Sequence, residues 1–182
     1  MTGSTPTDTA TKTVQMYRVY IKASAEMIWQ AITDPEWNAR YGYGAPSVLD
    51  LRPGGRHKST PSDAMRAGAA EMGWTMPEVV VDGEVLEADP PRLLKQSWRM
   101  AMDPTAAAEG FSTLTYTIQE EPGGVCKLTV AHDVTGMPTL AAMVQGGPAA
   151  EPDGPAAGGW PWILSDLKSL LETGSAFSTT AG

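Results

Sequence analysis

The stretch 158–174 constrains this chain more than any other, because it reads as a helix and a helix of this kind is stable only against a broad apolar surface. Trp160, Ile163, Leu164, Leu167, Leu170 and Leu171 recur at three- and four-residue spacings, so they share one face. Ser165, Asp166, Lys168, Ser169 and Glu172 fall outside that stripe. Pro161 is tolerated in a first turn, where its missing N–H has no intrahelical partner, and Gly174 suits a left-handed C-cap. Whether the surface under this helix is a solid core or a hollow one is the functional question.

The rest of the chain supplies a sheet. Val14–Ile21 alternates loosely and carries Val, Tyr and Ile, which predicts a first strand. Ser24 then offers an N-cap to a short helix with Met27, Ile28, Ala31 and Ile32 on its stripe, and Asp34 with Pro35 opens a second short helix running to about Arg40. Segments 47–51 and 56–59 flank Arg52-Pro53-Gly54-Gly55 as a hairpin. Four more strands follow at 79–88, 93–102, 112–120 and 125–133, separated by turn-forming residues and by a loop at 103–110 expected to be flexible. Such a run is an antiparallel meander.

Strand parity predicts what faces inward. Leu94, Gln96, Trp98, Met100 and Met102 share a face; so do Leu114, Tyr116 and Ile118, and so do Cys126, Leu128, Val130 and His132. In the strand before them, Val79, Val81 and Val85 share a parity with Glu87, while Asp82 and Glu84 take the other side.

Around this domain, expected over 14–174, stand a leader at 1–13 and a tail at 175–182, both expected to be flexible, and two insertions. Segment 60–78 contains an Ala- and Met-rich helix that Ser62 or Asp63 can cap, and is read as a lid over a pocket mouth. Segment 135–158 is a Gly/Pro/Ala-rich loop anchored only by Met137, Leu140, Met143 and Val144.

Composition sets exclusions. With 21 acidic against 13 basic side chains, the formal charge of −8 argues against nucleic acid or an anionic membrane surface as partner. A single Cys126 rules out an internal disulfide, and no apolar run reaches the length of a membrane span. The expectation is a cytoplasmic protein without membrane insertion, its oligomeric state open.

Four strings carry a resemblance: ASAEMIWQAITDP at 23–35, RPGG at 52–55, DGEVLEADPPRL at 82–93 and LSDLKSLLETG at 164–174. Together with the order of elements they resemble the SRPBCC family of the START-like superfamily, and within it the branch of homologues of the activator of heat-shock-protein-90 ATPase. The resemblance implies an α+β helix-grip fold, in which a curved antiparallel sheet wraps a long C-terminal helix, with two short helices after the first strand. It also implies a hydrophobic small-molecule ligand, lipid- or polyketide-like, held between sheet and helix.

Physical reasoning points the same way, since a strongly curved sheet and one helix do not close-pack along their whole length. Six Trp and ten Met suit the lining of a cavity. By position the candidate ligand contacts are Trp98, Met100, Tyr116 and His132 on inward parity; Trp37, Tyr41 and Tyr43 in and after the second helix; Trp74 and Met76 at the end of the insertion; and Trp160, Ile163 and Leu164 on the gripping helix.

Catalytic residues are sparse. His132 is the best acid–base candidate, weighed against a hydrogen-bonded core histidine; Tyr116 and Glu84 are weaker, and His57 has a lower claim. No metal-ligand spacing, nucleophile elbow, P-loop or dinucleotide fingerprint is present, so no metal or cofactor is expected, and Gly54-Gly55 and Gly123-Gly124 are turns. Three functions remain open: a module binding an apolar small molecule; a cyclase, aromatase or hydrolase using the same cavity; and a cochaperone stimulating a chaperone ATPase.

Overall fold

A computed structural model describes residues 11–146 and 158–180. Its chain order is β1 (Val14–Ile21), α1 (Ala25–Thr33), α2 (Pro35–Asn38), β2 (Ser47–Leu49), β3 (Arg56–Ser59), α3 (Asp63–Glu71), β4 (Val81–Asp89), β5 (Leu93–Met100), α4 (Pro104–Ala108), β6 (Ser112–Glu121), β7 (Val125–Asp133), α5 (Pro138–Gln145) and α6 (Gly159–Thr173), followed by a 3₁₀ turn at Phe177–Thr180. The strands form one antiparallel sheet in the order β1-β7-β6-β5-β4-β3-β2. The first and last strands therefore pair, and α6 closes over the inner face they complete.

Local chemistry explains the helix boundaries. Ser24 Oγ accepts from Met27 N at 3.2 Å, Asp34 Oδ1 from Glu36 N at 2.8 Å and Ser62 Oγ from Met65 N at 3.2 Å, each satisfying an N–H that a helix start leaves unpaired. Gly174 ends α6 at φ 81°, a left-handed conformation that a side chain disfavours. The expected stripe is the buried face: Trp160, Leu164, Leu167 and Leu170 lie in one core with Leu94, Leu114, Leu128 and Val130 of the sheet. Burying each leucine contributes about 1.5–3 kcal/mol. At its far end α6 is tied to β1, where Lys168 Nζ donates to the Tyr20 carbonyl at 2.6 Å and Glu172 accepts from Lys22 N at 2.8 Å.

Several expectations change. Segment 103–110 is not a plain loop: Asp103 Oδ1 caps a turn of helix opened by Pro104, accepting from Ala106 N at 2.8 Å. Glu109 at its end accepts from the Thr139 and Leu140 amides at 2.8 and 2.9 Å, which caps α5 inside the segment read as a loop. The remainder of that segment, 147–157, lies outside the described residues, as do 1–10 of the leader and 181–182 of the tail. Where described, both terminal segments make contacts with the domain. Thr13 extends the sheet edge, donating to Thr135 Oγ1 and accepting from Val134 N. Beyond α6, Ala176 is buried and the Phe177 ring meets Trp162 edge-on at 4.9 Å.

Two further corrections concern side-chain direction. A register shift between Val85 and Glu87 inserts Leu86 as an extra residue, so Glu87 sits opposite Lys95 on the outer face and Ala88 takes the inner position opposite Leu94. Asp166 lies outside the apolar stripe by sequence, yet it is fully buried. Its carboxylate accepts from Gly42 N at 2.7 Å, Phe177 N at 2.7 Å and Ser178 N at 3.2 Å, joining the loop after α2 and the C-terminal turn to α6.

Candidate functional site

The inner face of the sheet, where it meets the N-terminal half of α6, carries a chain of polar groups. Trp160 Nε1 lies 3.1 Å from His132 Nδ1, and His132 Nε2 lies 2.7 Å from Ser112 Oγ, which lies 2.8 Å from the Trp98 carbonyl. An indole can only donate and a carbonyl can only accept, so one direction is permitted throughout. Trp160 donates to Nδ1; the neutral ring then carries its proton on Nε2 and donates to Ser112, whose hydroxyl donates to Trp98. The His132 ring is fully buried, and burial pushes its pKa down to about 4 against a weaker opposing pull from Asp133.

That direction decides what His132 can do. A base for Ser112 would need a lone pair on Nε2, and the Trp160 bond places the proton there instead. Its place is at the junction of α6 with β5, β6 and β7. The surrounding rings meet edge-on: Trp98 and His132 at 5.3 Å, His132 and Trp160 at 6.0 Å, Tyr116 and Trp160 at 5.9 Å.

Beside this seam the inner face keeps accessible surface. Trp98, Met100, Tyr116 and Ile163 are only half-buried although their positions are inward or on the gripping helix. Tyr116 is decisive. It is surrounded by protein deeply enough that desolvation, with Tyr41 beside it, raises its phenol above the ordinary range. It nevertheless keeps part of its surface accessible.

Two polar groups border the same face without partners. His57 is 5% exposed and Gln96 is 3% exposed, and neither His57 Nδ1 nor Gln96 Oε1 has a hydrogen-bond partner. Burial lowers the His57 pKa to about 4, partly opposed by Asp82, so the ring is neutral at pH 7. Gly83 separates His57 from Trp98. It pairs with His57 on β3, and the register running from Asp82↔Arg99 to Val85↔Gln96 sets it beside Trp98 on β5. A Cβ at Gly83 would sit 2.0 Å from the Ser97 carbonyl oxygen, so the position admits no side chain and the inner face is bare there.

The other expected contacts scatter. Trp37 packs on the core with the Arg40 guanidinium 4.4 Å from its ring centre, and Tyr41 is buried with its hydroxyl donating to the Ala31 carbonyl at 3.1 Å. Tyr43 Oη accepts from Gly159 N at 3.0 Å, at the start of α6. Leu164 is core, Met76 is half-buried, and Trp74, 42% exposed after α3, stands on the surface. Glu84 is exposed on the face opposite His132 and Tyr116, so the three acid–base candidates are not assembled. Ser112 and Asp166 were missed: a serine opening a strand and an aspartate in a helix's polar phase give no signal of burial.

A separate surface hollow of about 380 Å³ lies at the other end of the sheet, lined by Ala25, Glu26, Pro90, Pro91, Arg92 and residues 118–120. Among the described residues no group of three or more His, Cys, Asp or Glu side chains is placed to hold a metal ion, and no helix is long and apolar enough to cross a membrane.

The family model of activator of Hsp90 ATPase homolog 1-like protein matches residues 22–172. No curated protein matches the sequence. The crystal structure of protein MLL2253 from Mesorhizobium loti aligns over 87% of this chain and 96% of its own, at 22% identity and a TM-score of 0.60. The solution structure of CalU16 from Micromonospora echinospora aligns over 90% of this chain and 68% of its own, at 22% identity and a TM-score of 0.58. In the crystal structure of CalU16 the match spans 62% of that chain. Protein NE0264 from Nitrosomonas europaea aligns over 87% of this chain and 93% of its own, at 18% identity and a TM-score of 0.57. At these identities the shared property is the fold, a curved antiparallel sheet closed by a C-terminal helix.

Proposed function

This chain belongs to the family of activator of Hsp90 ATPase homolog 1-like proteins, and from that premise we propose that it binds a small apolar molecule between the inner face of its sheet and α6. The observation that carries this reading is Tyr116, which lies on the inner face of β6 against the core and still retains accessible surface. Trp98, Met100 and Ile163 supply aromatic and flexible apolar walls beside it. Binding asks for no proton-transfer group, and His132 has both ring nitrogens engaged in the seam that fixes α6. Turnover by a cyclase, aromatase or hydrolase mechanism would need an acid or base from elsewhere.

Native mass spectrometry of protein purified without denaturation tests the proposal, combined with equilibrium dialysis against naphthalene and 2-naphthol. The expected result is a retained small-molecule mass or saturable uptake of the aromatic probes. Bare protein that takes up neither probe would refute it. Family membership supports a second reading, stimulation of a chaperone ATPase, and a purified ATPase assay showing no stimulation would eliminate that one.

A further inference from the structure

We infer that the surface hollow between the start of α1 and the β4–β5 turn is a second binding site, one that takes a small organic ammonium ion with an apolar body. Its walls come from three parts of the fold. Ala25 and Glu26 open α1, Pro90, Pro91 and Arg92 form the turn, and Ile118, Gln119 and Glu120 lie near the end of β6; together they border about 380 Å³, enough for a small molecule. Backbone pairing holds the turn against β6, with Ile118 N donating to the Arg92 carbonyl at 2.8 Å. Ala25 and Ile118 are buried core residues and, with the two proline rings, give the hollow an apolar floor.

The sign of the ligand follows from which ions around the hollow are already paired. Arg92 is held by Asp89 at 2.8 Å, and Lys127, opposite Gln119 in the register, is held by Glu121 at 3.4 Å. The charge of Lys22 acts on Glu172. Among the described residues, Glu26 and Glu120 are thus left without a cationic partner. They come from different elements and converge on one place: Cys126, opposite Glu120 on β7, has its thiol pushed up by burial first, then by Glu120 and by Glu26. The start of α1 contributes a positive end of about half a unit charge, which two full negative charges outweigh. An ammonium group offers three donors to these carboxylate oxygens and a hydroxyl only one, while an anionic head group is repelled. The ring or chain behind the ammonium then rests on Pro90, Pro91 and Ile118.

Titration of the isotope-labelled full chain with cyclohexylmethylamine, cyclohexylmethanol and cyclohexanecarboxylate, followed by amide chemical shifts, tests this, because the probes share a ring and differ in the head group. The amine is expected to shift the amides of Glu26, Arg92, Gln119 and Glu120 and to bind about tenfold more tightly than the alcohol at low ionic strength, a margin that added salt reduces. The carboxylate is expected to leave those amides unmoved. Glu26→Gln and Glu120→Gln, both at exposed positions, should each cut the advantage of the amine several-fold while amides elsewhere keep their wild-type shifts. Equal binding of amine and alcohol, no shift at these amides, shifts centred on the face beside Trp98 and Tyr116, or glutamine variants that bind the amine as wild type does would each overturn the inference. The site is independent of the binding function proposed above, which stands or falls on its own probes.

Discussion

His132 links stability to pH through a single well-defined contact set, which makes acidification an informative perturbation. Its pKa in the folded protein is about 4 against an ordinary 6.5. The unfolded chain therefore binds the proton more readily, stability is full above the unfolded value, and it is lost as pH falls from about 6.5 toward 4. At pH 4.5 the unfolded histidine is almost wholly protonated and the folded one mostly is not, a difference of about 2.5 kcal/mol. His57, displaced in the same direction to about 4, adds a similar amount. Wild type is thus expected to lose about 5 kcal/mol between pH 7.5 and 4.5, and His132→Gln about half of that. Urea unfolding at the two pH values measures both, and with a slope near 2 kcal/mol per molar the two proteins should differ by about 1.3 M in how far the midpoint moves. The carboxylates are common to both proteins, and their contribution cancels except at Asp133, which lies beside His132. Identical acid dependence in wild type and variant would refute the neutral, hydrogen-bonded state assigned to His132.

Three smaller perturbations test the supports of the site. Ser112→Ala leaves the His132 Nε2–H without an acceptor and should cost about 1–3 kcal/mol in chemical denaturation at neutral pH. Asp166→Asn replaces an acceptor of three backbone amides by a group that also donates; it should destabilise by about 2 kcal/mol or more and speed hydrogen exchange at Phe177 and Ser178. Gly83→Ala should lower stability by about 1–3 kcal/mol in the same assay, because the new methyl group meets the Ser97 carbonyl at 2.0 Å.

How much of this was legible in the sequence depends on whether local pattern or distant contact decides a residue's place. The stripe of α6, the caps at Ser24, Asp34 and Ser62, and the parity of β5, β6 and β7 follow from spacing and backbone chemistry, and they fix the architecture. The β4 bulge was not legible: alternation presumes an unbroken register, and one extra residue at Leu86 moves Glu87 from the inner face to the outer. Asp166 was hidden for a related reason. Its burial is decided by the amides of Gly42, Phe177 and Ser178, which helical periodicity does not report. At the site, parity placed Gln96, Trp98, Tyr116 and His132 inward. It did not distinguish His132, with partners on both nitrogens, from Gln96 and His57, each with an unpartnered atom.

A crystal structure of the protein with 2-naphthol decides whether the space between sheet and α6 accepts an apolar molecule. The ring is expected between Trp98 and Tyr116 on the inner face of the sheet. A ring bound in the surface hollow beside Pro90, Pro91 and Arg92, or no ring at all at saturating naphthol, would contradict it.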